Sequence, residues 1–303
     1  KNVLDVASKS YKINISFDNL SDNNNNRLSN LDSKFKKIEK TILKSLIGQD
    51  NIVKDVLNVI KTKRFFKEMD GDTPSVFIFL GKTGTGKTFF AELLAKYLFN
   101  GKIKFVNGEL YKEAHAVSNL VGSPKGYVDS DTGSDLFDYI KSNPECVVCL
   151  DEIEKAHSDF YDMWLTIFDK GVIYDKYGNL IDFRNTVVIM TSNIGAKQAQ
   201  SYNPIGFSNG NKETIVSQIM EKELVKKFKP EFLNRVDKSF VFNETIDYEE
   251  ILLKKFTEIQ SFLSKKKIKI VLSDSTKQDI LGKCKNQNVR ELEREISKKI
   301  KES

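Results

Sequence analysis

Apolar residues at Phe35, Ile38, Ile42 and Leu46 recur every three or four positions, the spacing that gathers them on one face of a helix. After a break at Ile47-Gly48-Gln49, a second helical pattern runs through Ile52, Val53, Val56, Leu57 and Ile60. The periodicity then changes. VFIFL (76–80), CVVCL (146–150) and TVVIMT (186–191) are short and almost continuously apolar, which predicts strands buried on both faces, as in a parallel sheet. Helical stretches alternate with them, so the fold class is α/β. Beyond about Phe242 come a helix (Ile251, Leu252, Phe256, Ile259, Phe262), a strand-like run IKIVL (268–272) and two more helices, the last with Val289, Leu292, Ile296 and Ile300 on one face. The expected organisation is a preceding segment over 1–34, a large lobe over 35–242 and a small, mostly helical lobe over 243–303. Residues 21–30 (SDNNNNRLSN) have little to bury and read as a flexible connector.

Composition narrows this picture. The chain has 303 residues, 40% hydrophobic and 30% charged, enough for a sizeable core. Its apolar runs fall far below the ~18 residues of a membrane span, so no membrane role is expected. Against 42 acidic residues stand 48 basic ones, a net +6 without a basic arm, and no nucleic-acid partner is expected. The 3 cysteines exclude a disulfide scaffold and fit a soluble, reducing compartment, a bacterial cytoplasm or a plastid-type organelle. An excess of Lys, Asn and Ile over Arg, Ala and Pro hints at an AT-rich genome, such as that of a reduced plastid or an AT-rich bacterium. Cys146 and Cys149 spell CxxC, but residues three apart on a strand face opposite sides and cannot share a metal. His115 and His157 form no ligand cluster. Position 1 is Lys, with no leader behind it, which reads as a cut from a longer chain.

The chemistry starts directly after VFIFL. Gly81, Lys82, Thr83, Gly84, Thr85, Gly86, Lys87 and Thr88 form GxxxxGKT between a strand and a helix with an apolar face of Phe90, Leu93, Leu94, Tyr97 and Leu98. Backbone N–H groups of such a loop wrap phosphate oxygens, Lys87 supplies a charge between the β- and γ-phosphates, and the Thr88 hydroxyl suits Mg²⁺. CVVCL runs straight into Asp151 and Glu152. In this setting the first acid reaches the magnesium shell and the second polarises attacking water. Thr191-Ser192-Asn193 ends the third strand where an Asn amide can hold that water. Of the basic residues only Arg27, Arg64, Arg184, Arg235, Arg290 and Arg294 are arginines, which makes each a candidate for bidentate recognition.

GKTGTGKT, CLDEIEKAH, DFRNTVVIMTSN and KPEFLNRVD, in this order and spacing, resemble the AAA+ ATPases of the Clp family, specifically the second ATPase module of the ClpA, ClpB and ClpC type. The resemblance covers about residues 38–300, and VLDVAS (3–8) is similar to the end of a first module. It implies a P-loop AAA+ module with a helical lid, ATP and Mg as cofactors, and hydrolysis of ATP. Lys87 and Thr88 would bind phosphate and Mg²⁺, Asp151 would be the magnesium acid, Glu152 would activate water, and Asn193 would be the first sensor. Arg235 in LNRVD would be an arginine finger reaching a neighbouring subunit of a homo-hexamer, or of a hetero-oligomer with related Clp subunits. Arg290 in NVRELER would be the second sensor, and Ile47-Gly48-Gln49 would border the adenine.

Two further segments bear on the substrate. Tyr127 and Val128 in SPKGYVD are similar to the pore loop that grips unfolded protein substrates; a flat aromatic ring contacts any side chain, whereas a nucleic-acid channel would be lined with basic residues. Ile205, Gly206 and Phe207 sit in a long polar run, either capping the core or forming an exposed peg. In the Clp ATPases that deliver to a ClpP-type peptidase, a loop of this kind is the docking peg; ClpB disaggregases lack it. The pattern departs from the family at Lys82, where Pro is usual, at Asp129, where Gly is usual, at Val172, where Arg is common, and before Arg290, where Gly-Ala is missing. The family also adds small-lobe strands that would pair with IKIVL, so the unpaired run reads as truncation. The leading expectation is an ATP-driven unfoldase that threads polypeptides to a peptidase. The runner-up is a disaggregase without one; a nucleic-acid remodeller and a non-hydrolysing scaffold are disfavoured.

Overall fold

The computed structural model describes residues 22–66, 73–121, 135–175, 177–201, 209–243, 247–265, 267, 269–284 and 289–302. Two helices come first, α1 (Asp22–Ser45) and α2 (Asp50–Phe66). β1 (Ser75–Leu80) runs through the phosphate-loop sequence into α3 (Lys87–Leu98). β2 (Ile103–Asn107), a short 3-10 turn, α4 (Ala114–Val121), α5 (Asp135–Ser142) and β3 (Val147–Asp151) follow. After α6 (Ser158–Lys170) a small antiparallel hairpin, β4 (Val172–Tyr174) and β5 (Leu180–Asp182), precedes β6 (Val187–Ser192). The large lobe closes with α7 (Ala196–Ser201), α8 (Asn209–Lys227), α9 (Pro230–Leu233) and β7 (Lys238–Val241). The small lobe is α10 (Tyr248–Ser264), α11 (Asp274–Cys284) and α12 (Val289–Glu302).

Five strands form one parallel sheet in the order β2-β3-β6-β1-β7. Side chains alternate across it as strand geometry requires. Val76, Ile78, Leu80, Val148, Leu150, Val188 and Met190 face one core, completed by Phe160, Trp164 and Phe228. Phe77, Phe79, Val147, Cys149, Val187 and Ile189 face the other, completed by α1, α2 and α3. This explains the unbroken apolar runs: both faces are covered, so neither tolerates a polar residue. Cys146 and Cys149 lie in opposite cores as free thiols, and burial pushes Cys146 up to about 12 and Cys149 higher still.

The structure departs from the sequence reading in two places and adds to it in a third. The Asn-rich stretch, read from composition as flexible, is helical: α1 begins at Asp22 and runs through it. Asn is a poor helix former, but the helix is carried by its later turns, where Phe35, Ile38 and Ile42 are buried, as is Leu46 just past its end. Before that point Leu31 packs on the same core, and Asp32 pairs with the buried Lys61 at 2.9 Å. In the small lobe IKIVL is no strand in its described part: residues 269–272 are irregular, Val271 is 79% exposed, and Ile270 O accepts a side-chain bond from Gln260. A strand needs a partner, and the described small lobe consists of helices. The strands β2 and β7 and the β4–β5 hairpin are additions that the sequence pattern did not mark.

Candidate functional site

Strand order decides which residues meet. β1, β6 and β3 are adjacent and parallel, so their carboxyl ends present the phosphate loop, Asn193 and Asp151 along one edge. At the end of the loop Gly86 has φ 98°, in the left-handed region, and a Cβ there would lie 2.8 Å from Leu46 Cδ1. Only glycine meets both conditions. The chain then turns into α3, whose N-terminal N–H groups form an anion site. Lys87 is buried, and its ammonium donates to Gly81 O at 2.7 Å, Lys82 O at 2.8 Å and Asn193 Oδ1 at 3.1 Å. The lysine and the asparagine predicted from separate strings therefore touch.

Asp151 and Glu152 are tied to the same edge through Thr191. Its buried hydroxyl donates to Asp151 Oδ1 and accepts the Glu152 N–H at 3.2 Å. Glu152 itself has φ 54° and ψ 46°, a left-handed conformation that costs a non-glycine residue about 1–3 kcal/mol. Its surroundings hold it there. Gly108 packs so closely that a Cβ would sit 2.7 Å from Glu152 O, and the Tyr161 hydroxyl donates to Ile153 O at 2.5 Å and to Ala156 O at 3.1 Å. The Glu152 carboxylate pairs with Lys155 at 2.7 Å, and Lys155 also reaches Glu109 at 3.3 Å. The hydrogen bond from Lys155 to Glu152 raises the pKa of that lysine. Behind these groups Glu154 Oε1 accepts from Asn193 N at 3.3 Å, while its other oxygen is buried without a hydrogen-bond partner among the described residues.

The phosphate loop, Asp151, Glu152 and Asn193 line a cleft of about 440 Å³. Leu46 and Ile47 line it from the large lobe; Ile251, Lys254, Lys255, Glu258 and Val289 close it from the small one. The break after α1 also holds the segment that follows β7. Gln49, 1% exposed, donates to Asn243 O at 3.1 Å and accepts Asn243 N at 3.0 Å, while Asn243 Nδ2 donates to Gly48 O at 2.9 Å. Asp151 and Thr88 offer the hard oxygen donors that Mg²⁺ prefers, and the described residues contain no cage of three or more acidic, His or Cys groups. That donor set fits an ion completed by phosphate oxygens.

Other predicted residues lie elsewhere. Arg235 does not line the cleft; its guanidinium pairs with Asp169 at 2.7 Å and both are about half exposed. Arg290 is on α12, but its side chain is outside the described residues, as are Tyr127, Val128, Ile205, Gly206 and Phe207 entirely. Sequence reasoning missed Thr191, Tyr161 and Lys155 around Glu152, and Glu154 behind Asn193. Thr191 stood in the quoted TSN string, where a hydroxyl facing the neighbouring strand's acid was the available signal. Lys254 and Lys255 were also missed, since their placement depends on how the lid helix lies.

Comparison with known proteins agrees with this arrangement. The AAA domain (Cdc48 subfamily) model matches residues 72–239, and the torsin model matches residues 22–113. The ATP-dependent Clp protease ATP-binding subunit ClpC of Staphylococcus epidermidis is 37% identical over 275 residues, 88% of this chain and 34% of the relative. Its counterpart from Staphylococcus aureus is 36% identical over 279 residues, 89% of this chain. The chain thus spans about a third of the length of these curated relatives. An Hsp104–ADP complex of S. cerevisiae superposes with a TM-score of 0.75 at 29% identity, covering 88% of this chain and 47% of that one. A closed-state Hsp104 with ATPγS and casein gives 0.74 at 29% identity over 92% of this chain and 47% of that one. With its phosphate loop, acidic strand end and Asn193 on one sheet edge, and with these similarities over most of its length, the chain belongs to the AAA+ ATPases of the Clp/Hsp104 type.

Proposed function

We propose that this module hydrolyses ATP to unfold polypeptides and thread them through a ring. The observation that carries the reading is the assembly of Lys87, Asp151, Glu152 and Asn193 around one cleft. In this reading Gly81, Lys82, Thr83, Gly84, Thr85 and Gly86 wrap the phosphates, Lys87 holds them, and Ile47 borders the adenine. Thr88 and Asp151 hold Mg²⁺, which supplies charge neutralisation on the phosphates when bound. Glu152 orients and deprotonates the attacking water, with Asn193 steadying it opposite the γ-phosphate. Lys155 engages one oxygen of the Glu152 carboxylate, which leaves the other to take up the water. Arg235, outside its own cleft, serves as the finger for a neighbouring subunit in a homo-hexamer or mixed Clp ring, where it stabilises transition-state charge. Arg290 acts as the second sensor, and Tyr127 and Val128 grip the substrate. The domain plan remains a large lobe over 35–242 and a small one over 243–303, with α1 reaching back beyond residue 35.

For the partner, the ClpC relatives are named as ATP-binding subunits of an ATP-dependent Clp protease, which supports delivery to a ClpP-type peptidase through Ile205, Gly206 and Phe207. A second reading, a disaggregase without a peptidase, is supported by the Hsp104 structures, one with casein. One experiment separates them: degradation of a labelled protein with ATP, with and without a ClpP-type peptidase, for wild type and Phe207→Ala. Peptidase-dependent degradation that Phe207→Ala abolishes, at unchanged ATPase rate, supports delivery. ATP-driven unfolding indifferent to the peptidase supports the second reading.

A further inference from the structure

The helix closing the cleft from the small lobe turns one defined face toward it: Ile251, Lys254, Lys255 and Glu258 follow the i, i+3, i+4, i+7 spacing. Lys255 reaches across to the large lobe, its ammonium 5.5 Å from the ring centroid of Phe89, which directly follows Thr88. The lysine turn of α10 is therefore level with the start of α3, where the phosphate loop ends.

Lys254 in this turn is partly buried, and it differs from the buried lysines Lys61 and Lys87. Lys61 is paired with Asp32 at 2.9 Å, and Lys87 donates to three acceptors. The Lys254 ammonium is buried and has no hydrogen-bond partner among the described residues. Glu258 and Glu250 act on it only at longer range, and burial lowers its pKa. An ammonium shielded from water without a partner is costly. It becomes favourable once an anion enters the same space, where low solvent access strengthens a charge-assisted bond. The cleft it lines is the one bounded by the phosphate loop.

We propose that Lys254 is a lid-borne ligand of the phosphate chain of a nucleoside di- or triphosphate held in this cleft. This rests on the nucleotide reading of the cleft and adds to it a second cation from the opposite lobe. Ile47 and Ile251 also line the cleft and offer apolar surface for a base.

The test compares ATP, ADP and adenosine binding by competition against a fluorescent nucleotide, at low and high salt, for the whole chain and three variants. Lys254→Met keeps the apolar stem and removes the charge; Lys254→Arg restores the charge; Lys87→Ala controls for the phosphate loop. Lys254→Met is expected to weaken ATP and ADP about tenfold, more at low salt, and adenosine less than twofold. Lys254→Arg should stay within about threefold of wild type. Unchanged ATP affinity in Lys254→Met overturns the proposal, as does an equal loss for adenosine, which would mark a packing role. A wild-type chain that binds no ATP, or binds it as tightly after Lys87→Ala, overturns the nucleotide reading itself.

Discussion

The two sides of the cleft are built on different physical terms. On the large-lobe side, the ends of β1, β3 and β6 rest on two buried layers, and Phe79 alone stacks on Phe90 at 5.5 Å and packs near Phe240 and Phe242. On the small-lobe side, the fully buried apolar side chains among the described residues are Leu252, Ile280, Leu292 and Ile296. Charged clasps supplement them: Lys277 with Glu249 at 2.5 Å, and Asp279 with Lys299 at 3.0 Å and Lys283 at 3.1 Å. The difference teaches which half is set and which half responds. Catalytic geometry needs fixed groups, and a left-handed Glu152 persists only on a rigid base. A lid needs a low-cost rearrangement, which a thin core allows.

The largest expected effects come from the chemistry on the rigid side. Glu152→Gln should retain ATP binding and lower turnover at least about a hundredfold, whereas Lys87→Ala should lose binding. Steady-state hydrolysis alongside nucleotide titration checks both, and near-normal turnover in Glu152→Gln would remove Glu152 from the mechanism. Next come the cores. Phe79→Ala should destabilise the large lobe by about 3–5 kcal/mol, while Leu252→Ala, at about 2–5 kcal/mol, should act locally. Hydrogen exchange would show this directly: Leu252→Ala should open α10 to α12 and leave β6 protected. Equal loss of protection in both lobes would break the comparison, because the lobes would then unfold as one unit.

A smaller effect tests the strut between the acids. Thr191→Val preserves shape but leaves the Glu152 N–H and the Asp151 carboxylate without the hydroxyl that joins them. The expected cost is about 1–3 kcal/mol of stability, with turnover reduced about tenfold and ATP affinity little changed. Thermal melts and hydrolysis rates on the same preparation decide it. If stability falls while turnover does not, the hydroxyl supports the fold without positioning Glu152.

The rigid side was also the legible side. VFIFL, CVVCL and TVVIMT announced β1, β3 and β6 because burial on both faces forces an unbroken apolar run. β2 and β7 escaped notice because they lie at the sheet margins, where Lys104 and Lys238 interrupt the pattern. Residues on one string, such as Gly86, Lys87 and Thr88, or Asp151 and Glu152, could be named because local sequence fixes their spacing. Asn193 meeting Lys87 follows from strand order, which the sequence supports only through the family resemblance. Lys254 had no such signal: in sequence it is one of many lysines, and only the packing of α10 singles it out. The Asn-rich first turns of α1 and the unpaired IKIVL show the same limit from the other direction. In the first, packing of the later turns of α1 outweighed local composition; in the second, strand propensity in residues 269–272 met no partner among the described residues.

The smallest effect concerns the clasp joining α11 to α12. Lys299 first, and Lys283 second, hold the Asp279 carboxyl below the usual carboxylate range by hydrogen bonding. A group whose pKa is lower folded than unfolded stabilises above its unfolded value, about 3.9 for Asp, and loses that contribution as pH falls through the folded value. The clasp is exposed, so salt should screen it as well. Amide exchange in α11 and α12 should therefore speed up, by no more than a few-fold, on adding salt at neutral pH and on acidification below about pH 4. Exchange in β6, whose stability is apolar burial between two layers, should ignore the salt. Asp279→Asn should remove most of the salt sensitivity of the small lobe. If β6 responds to salt as strongly as α12, or if Asp279→Asn leaves the response intact, the small lobe does not depend on its charges in the way its thin core implies.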